Sequence, residues 1–195
     1  MKENLLFPGR ILDTERAKEV VAKAFRELTF PPELHRLIRL DGPRVGGDKR
    51  DYLHRFYLSR PGGGLEEAPS LFLHRFVSSD VDHEIHCHPW LWSVSYILAG
   101  SYVEERTTGE RHDDGTKVFL RGRLSEERLG PGSRNLILAD HFHRVSLETE
   151  DVWTLFLHGP RVGNWGFVPK PSKNERDGLV PIRVVEGKTF DRRDT

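Results

Sequence analysis

Histidines at positions 86 and 88 flank a single residue, and a third, His143, follows about fifty-five residues later. On an extended strand alternate side chains face the same way, so His86 and His88 would project from one side of a sheet about 7 Å apart, with Cys87 on the other side. Two imidazoles so placed can converge on one divalent metal ion, and a ligand from a different strand, His143 in Asp140-His141-Phe142-His143-Arg144-Val145, would fix that ion in three dimensions. Any one of these histidines alone is more often a hydrogen-bonded core or surface residue. The paired spacing plus a second histidine-bearing strand favours ligation.

Around this trio stand candidates for weaker roles. His83, three residues before His86, would face the opposite way on a regular strand and reads as a second-layer or substrate contact, as does His141. Ser93, Ser95 and Ile97 share one strand face, where Ser93 could bond a metal-bound water or make room for substrate. Arg75 and Arg134 lie on strands flanking the histidines. One buried arginine facing the metal would bind a substrate carboxylate through two parallel hydrogen bonds, and Arg134 has the better parity, sharing a face with Leu136 and Leu138. Tyr96 is a further candidate substrate contact, and Glu104, Glu105 and Asp140 are carboxylates able to complete a mixed ligand set. Trp90, Trp92, Trp153 and Trp165 could line a pocket for an apolar or aromatic substrate but read first as packing, and Cys87 as a buried small hydrophobe.

The elements that must position these residues are mostly strands. Short β-rich runs separated by Gly, Pro and Asp clusters begin near residue 51, with strands expected at Tyr52–Leu58, Ser70–Val77, His83–His88, Trp92–Leu98, Tyr102–Arg106, Thr116–Leu120, Arg134–Leu138, His143–Leu147 and Val152–His158. Before them, Ala17, Val20, Val21, Ala24, Phe25 and Leu28 recur at helical spacing over Asp13–Thr29, and Leu34, Leu37 and Ile38 suggest a short second helix over Glu33–Leu40. This gives an N-terminal helical extension (1–50) packed outside a barrel (51–178), then a charged tail (179–195) with a disordered terminus. The polar segments 60–67 and 107–115 read as mobile loops.

At 195 residues the chain suits one substantial core. Thirty basic and thirty acidic residues leave no net field to draw it to nucleic acid or an anionic membrane. It has no apolar run of bilayer length and no signal-like N-terminus, and its one cysteine cannot form an internal disulfide, so a soluble cytoplasmic protein is expected. A homodimer formed through an exposed sheet edge is one way to cover an open barrel.

The two histidine segments resemble the paired motifs of the cupin superfamily, G-x5-H-x-H-x(3,4)-E-x6-G and G-x5-P-x-G-x2-H-x3-N. His86 and His88 match the first, with Ser93 in place of Glu and Gly100 in register. The second aligns Gly132 and His143, with Leu138, Asp140 and Leu147 in place of Pro, Gly and Asn. The strand pattern extends the resemblance to roughly residues 50–168, and the H-C-H-P-W, F-H-R-V and W-G-F segments resemble uncharacterised bacterial and phage cupin-like proteins. The resemblance implies a small single-domain (RmlC-like) cupin, a jelly-roll-like double-stranded β-helix. Its three-histidine site is similar to those of thiol and diketone-cleaving dioxygenases, with iron(II) favoured and a small polar molecule as substrate. Zinc or manganese in the same ligands would instead suit a lyase, isomerase or hydrolase. A non-catalytic binding module is the third reading.

Overall fold

The computed structural model describes residues 32–40, 49–58, 70–81, 84–107, 110–113, 118–121, 124–169, 180–181 and 183–185. A 3-10 turn, Pro32–Leu34, leads into fifteen strands: β1 His35–Leu40, β2 Arg50–Tyr57, β3 Ser70–Phe76, β4 Glu84–Cys87, β5 Trp92–Ala99, β6 Tyr102–Thr107, β7 Glu110–Asp113, β8 Val118–Arg121, β9 Leu124–Leu129, β10 Arg134–Leu138, β11 Phe142–Leu147, β12 Val152–His158, β13 Trp165–Pro169, β14 Val180–Pro181 and β15 Arg183–Val185. Among the described residues there is no α-helix, and none therefore long and apolar enough to cross a membrane.

Two six-stranded antiparallel sheets carry the fold. Sheet A runs β1-β2-β3-β12-β5-β10 and sheet B runs β15-β13-β4-β11-β6-β9, while β14-β8-β7 form a small third sheet. Setting aside the outer strands and counting β3, β4, β5, β6, β9, β10, β11 and β12 as first to eighth, the sheets read 1-8-3-6 and 2-7-4-5. Successive strands thus alternate between the two sheets, except the fourth and fifth, which pair with each other in sheet B, and this is the interleaved order of a jelly roll.

Register fixes which side chains face inward. Across sheet A, Arg55, His74 and Thr154 form one cross-strand row, and Tyr57, Phe72, Phe156, Ser95 and Asn135 form the next. Across sheet B, Phe167, His86, His143 and Arg106 stand opposite one another. One end of the interior is closed by Ile97, Tyr102, Leu129, Val145 and Val152, with Phe76 and Leu147 packed against them. Burying each large apolar side chain of this kind contributes about 1.5–3 kcal/mol. The outer faces have apolar clusters of their own: Phe56, Leu73, Ala99 and Trp153 on sheet A, and Ile85, Cys87, Phe142 and Val168 on sheet B.

Several sequence expectations change. Glu33–Leu40 is not a helix: after the turn, His35–Leu40 pairs antiparallel with β2 and buries Ile38. An eight-residue segment is too short to hold a helix unaided, whereas pairing with β2 satisfies its backbone. Residues 110–113, expected in a mobile loop, pair with β8, and the tail supplies β14 and β15. The helix expected over Asp13–Thr29 and the loop over 60–67 lie outside the described residues.

Gly100, between β5 and β6, has φ of 75°, a left-handed conformation, and a Cβ built there would lie 2.2 Å from the Asp151 carbonyl oxygen. Only glycine fits that turn.

Candidate metal centre

The Cα positions of His86 and His143 are cross-strand partners on β4 and β11, and period two carries His88 to the same face as His86. The three ring centroids form a near-regular triangle: 4.9 Å from His86 to His143, 4.9 Å from His88 to His143 and 5.5 Å from His86 to His88. One ligating atom from each lies within 4.8 Å of the others. Cys87 points the opposite way, into the apolar cluster outside sheet B.

Hydrogen bonds set the tautomers. His143 Nδ1 lies 2.6 Å from Glu104 Oε1; the carboxylate can only accept, so Nδ1 carries the proton and Nε2 is free to ligate. Ser93 Oγ donates to the Ile137 carbonyl at 3.4 Å and stands 3.1 Å from His88 Nδ1, which therefore donates to it. Ser93, expected to face water or substrate, sits behind His88. The freed His88 Nε2 and His143 Nε2 are 3.2 Å apart. Two lone pairs at that distance repel unless a proton or a metal ion bridges them. Bonds of about 2.1 Å to one ion put adjacent ligand nitrogens roughly 3.0–3.4 Å apart in octahedral or tetrahedral geometry. The donor set fits a divalent metal.

Burial favours the neutral form of His86 and His88. Burial above all lowers His86 to about 4, with His143 adding to the effect and Asp80 and Glu104 opposing it. His88 is pushed well below the usual imidazole range by burial, then by His143, His86, Arg55 and His74. For Glu104, burial works to raise the pKa, but the hydrogen bond and charge of His143, the Asn135 amide and Arg106 together bring it down to about 2. Glu104 is therefore ionised, accepting from Asn135 Nδ2 at 2.9 Å and from Arg106 at 2.9 and 3.1 Å. Arg106 also donates to Asn135 Oδ1 and to the Leu136 carbonyl.

The eight-strand order, with a histidine trio on the inner face of the second and seventh strands, decides the kind of fold. The barrel has a cupin-like fold. No protein-family model matches the chain and no curated protein matches it. Among solved structures it is similar to a chain from the crystal structures of the DMSP lyases RdDddP and RnDddQII (15% identity, 63% of this chain and 56% of that chain, TM-score 0.42). It is also similar to Fe(II)-HppE with the alternative substrate (S)-1-HPP (14%, 67% and 59%, TM-score 0.42) and to KdgF from Halomonas sp. (15%, 68% and 94%, TM-score 0.40). The chain thus spans less than two thirds of the first two. The description of the fold as cupin-like rests on strand order and register.

The remaining candidates disperse. Arg134 is exposed on the outside of β10 together with Leu136 and Leu138, because the inward positions of that strand are Asn135 and Ile137. Tyr96 is likewise outward and 43% exposed. Arg75 lies outside sheet A, paired with Asp151 at 2.9 Å and set over the Trp153 ring. His141 is half-buried beside Arg106, and its Nδ1 accepts from the Leu138 amide at 3.3 Å. Glu105 is buried against Arg144 at 2.7 Å on the outer face of sheet B, and Asp140 is exposed. His83 lies outside the described residues.

Of the four tryptophans read as packing, Trp90 and Trp165 form an aromatic wall beside the histidines. Trp165 lies 5.0 Å from His88 and 5.7 Å from His86, centroid to centroid, and Trp90 lies 5.4 Å from His88. Trp90 also stacks on His158 at 4.2 Å, and Phe156 packs against His88. The parity of Trp90 with His86 and His88 was the available signal.

Proposed function

We propose that the protein is a mononuclear non-haem iron(II) dioxygenase acting on a small polar molecule. The observation that carries this reading is the ligand set: three neutral imidazoles with Ser93 where a fourth, carboxylate ligand stands in the resembling motif, and with the nearest carboxylate, Glu104, held behind His143. Iron(II) in such a set keeps two or three positions open and supplies reactivity towards dioxygen without a separate cosubstrate.

The protein's own groups do the rest. Glu104 and Ser93 hold the Nδ1 protons of His143 and His88, which keeps both Nε2 atoms directed at one point. Asn135 and Arg106 hold Glu104 in turn. Trp90, Trp165 and Phe156 give the site an apolar wall that excludes bulk water and strengthens each polar contact inside it.

The test is elemental analysis of protein prepared without added metal, alongside His86→Ala and His143→Ala, followed by oxygen uptake on a substrate panel. About one equivalent of iron, lost in both variants, with substrate-dependent oxygen consumption is the expected result. Zinc or manganese with activity that persists without oxygen would put a lyase, isomerase or hydrolase in its place. Absence of metal from every sample would leave a binding module.

A further inference from the structure

The wall facing the histidines contains a cation that the proposed chemistry has not used. Arg55 on β2 stands in the inward row with His74 and Thr154, and its Nε donates to His74 Nε2 at 2.9 Å. Its guanidinium carbon lies 4.8 Å from the Phe72 ring centroid. Among the described residues no carboxylate pairs with it. By contrast, Arg75, Arg106 and Arg144 are matched by Asp151, Glu104 and Glu105.

Two polar atoms of the same row are also unanswered. His74 Nδ1 and Thr154 Oγ1 are buried without a hydrogen-bond partner, in residues only 2% and 0% exposed. Because His74 Nε2 accepts from Arg55, the proton of the neutral ring is on Nδ1, so the orphan is a donor. Buried donors without partners are uncommon and call for a ligand or a water. Aromatic rings join this row to the centre: His74 stacks on Phe156 at 4.9 Å, and Phe156 lies 6.0 Å from His88.

We propose that Arg55 anchors an oxyanion, a carboxylate or a phosphate, at the end of the substrate remote from the three-histidine centre. Guanidinium is the side chain whose planar fork matches such a group, and an aromatic surround suits a planar or apolar body between the two poles. Facing sheets of such a barrel pack about 10 Å apart, so a molecule touching both walls is small. The inference rests on reading the centre as the reactive end, but anion binding and metal content can be read separately.

The experiment is calorimetric titration of the full chain with benzoate, benzamide and inorganic phosphate, with metal measured on the same samples. Wild type is expected to bind benzoate or phosphate and to discriminate against the neutral amide. Arg55→Gln should weaken the anion at least tenfold with metal content unchanged, and Arg55→Lys should retain part of the binding. Preference for benzoate over phosphate, or the reverse, identifies which oxyanion is taken. Equal binding by folded Arg55→Gln, loss of discrimination against benzamide in wild type, or failure of wild type to bind either anion would overturn the inference. If Arg55→Gln does not fold, the Arg55→Lys comparison decides by the same criteria. Metal-free wild type that still binds benzoate through Arg55 supports the anchor and removes only the reading of the centre.

Discussion

Glu104→Gln is the substitution that most directly probes how the centre is held. The carboxylate is 1% exposed and accepts from His143, Asn135 and Arg106. Its pKa falls from 4.5 to about 2, and each unit corresponds to about 1.4 kcal/mol, so ionised Glu104 contributes on the order of 3 kcal/mol at neutral pH. The sign follows from the depressed value: the contribution is complete above about 4.5 and is lost as pH falls towards about 2. Glutamine keeps the size but removes the charge, and turns an amide N–H towards donors already present on Arg106 or His143. The metal-free variant should therefore lose about 3 kcal/mol in urea unfolding, close to the roughly 3–5 kcal/mol found on breaking buried pairs. Weaker orientation of His143 should lower metal affinity about 10–100-fold in competition with a chelator. A folded Glu104→Gln protein with wild-type affinity for zinc and cobalt would refute the argument that this carboxylate sets the His143 tautomer.

In protein stripped of metal, His74, His86 and His88 are all held neutral by burial, so the unfolded chain binds protons first as pH falls below 6.5. Stability should fall from about pH 6.5 downward, by up to about 1.4 kcal/mol per pH unit for each of the three, and chemical denaturation at pH 7 and pH 5 measures the slope. Ser93→Ala leaves His88 Nδ1 without its acceptor and should cost about 1–3 kcal/mol together with weaker metal binding, read by unfolding and chelator competition. Gly100→Ala must place its Cβ against the Asp151 carbonyl at positive φ, and a loss of at least about 1–3 kcal/mol is expected by thermal unfolding.

The sequence conveyed the histidine strands well because period two is a local property: His86 and His88 share a face whatever surrounds them, and Arg134–Leu138 and Val152–His158 are bounded by clear turns. It conveyed less wherever burial and polarity part company. On β10 the apolar Leu136 and Leu138 suggested an inward face, yet the interior here is polar, built from Glu104, Asn135 and Ser95, so the leucines and Arg134 lie outside. Strand β9, Leu-Ser-Glu-Glu-Arg-Leu, escaped notice because it is an edge strand exposed over most of its length. The orientation of Glu104 could not be carried across Gly100, whose left-handed turn resets the alternation. Arg55 was hidden for another reason: its row exists only through pairing of β2 with β3, and nothing local distinguishes it from Arg75.

These departures bear on the substrate. Serine at position 93 removes a negative ligand from the centre, and the carboxylate that comes nearest, Glu104, reaches it only through the His143 ring. Arg106 and Asn135 share that carboxylate, so part of its charge is already spent on partners other than His143. A divalent ion in three neutral imidazoles would then keep most of its double charge. Across the barrel Arg55 places a second positive pole on an otherwise aromatic wall. An interior with cationic groups at both ends and rings between them favours a small anion with a donor atom at its other end. A neutral analogue of the same shape would lose the charge-assisted contact at Arg55 and bind at least about tenfold more weakly.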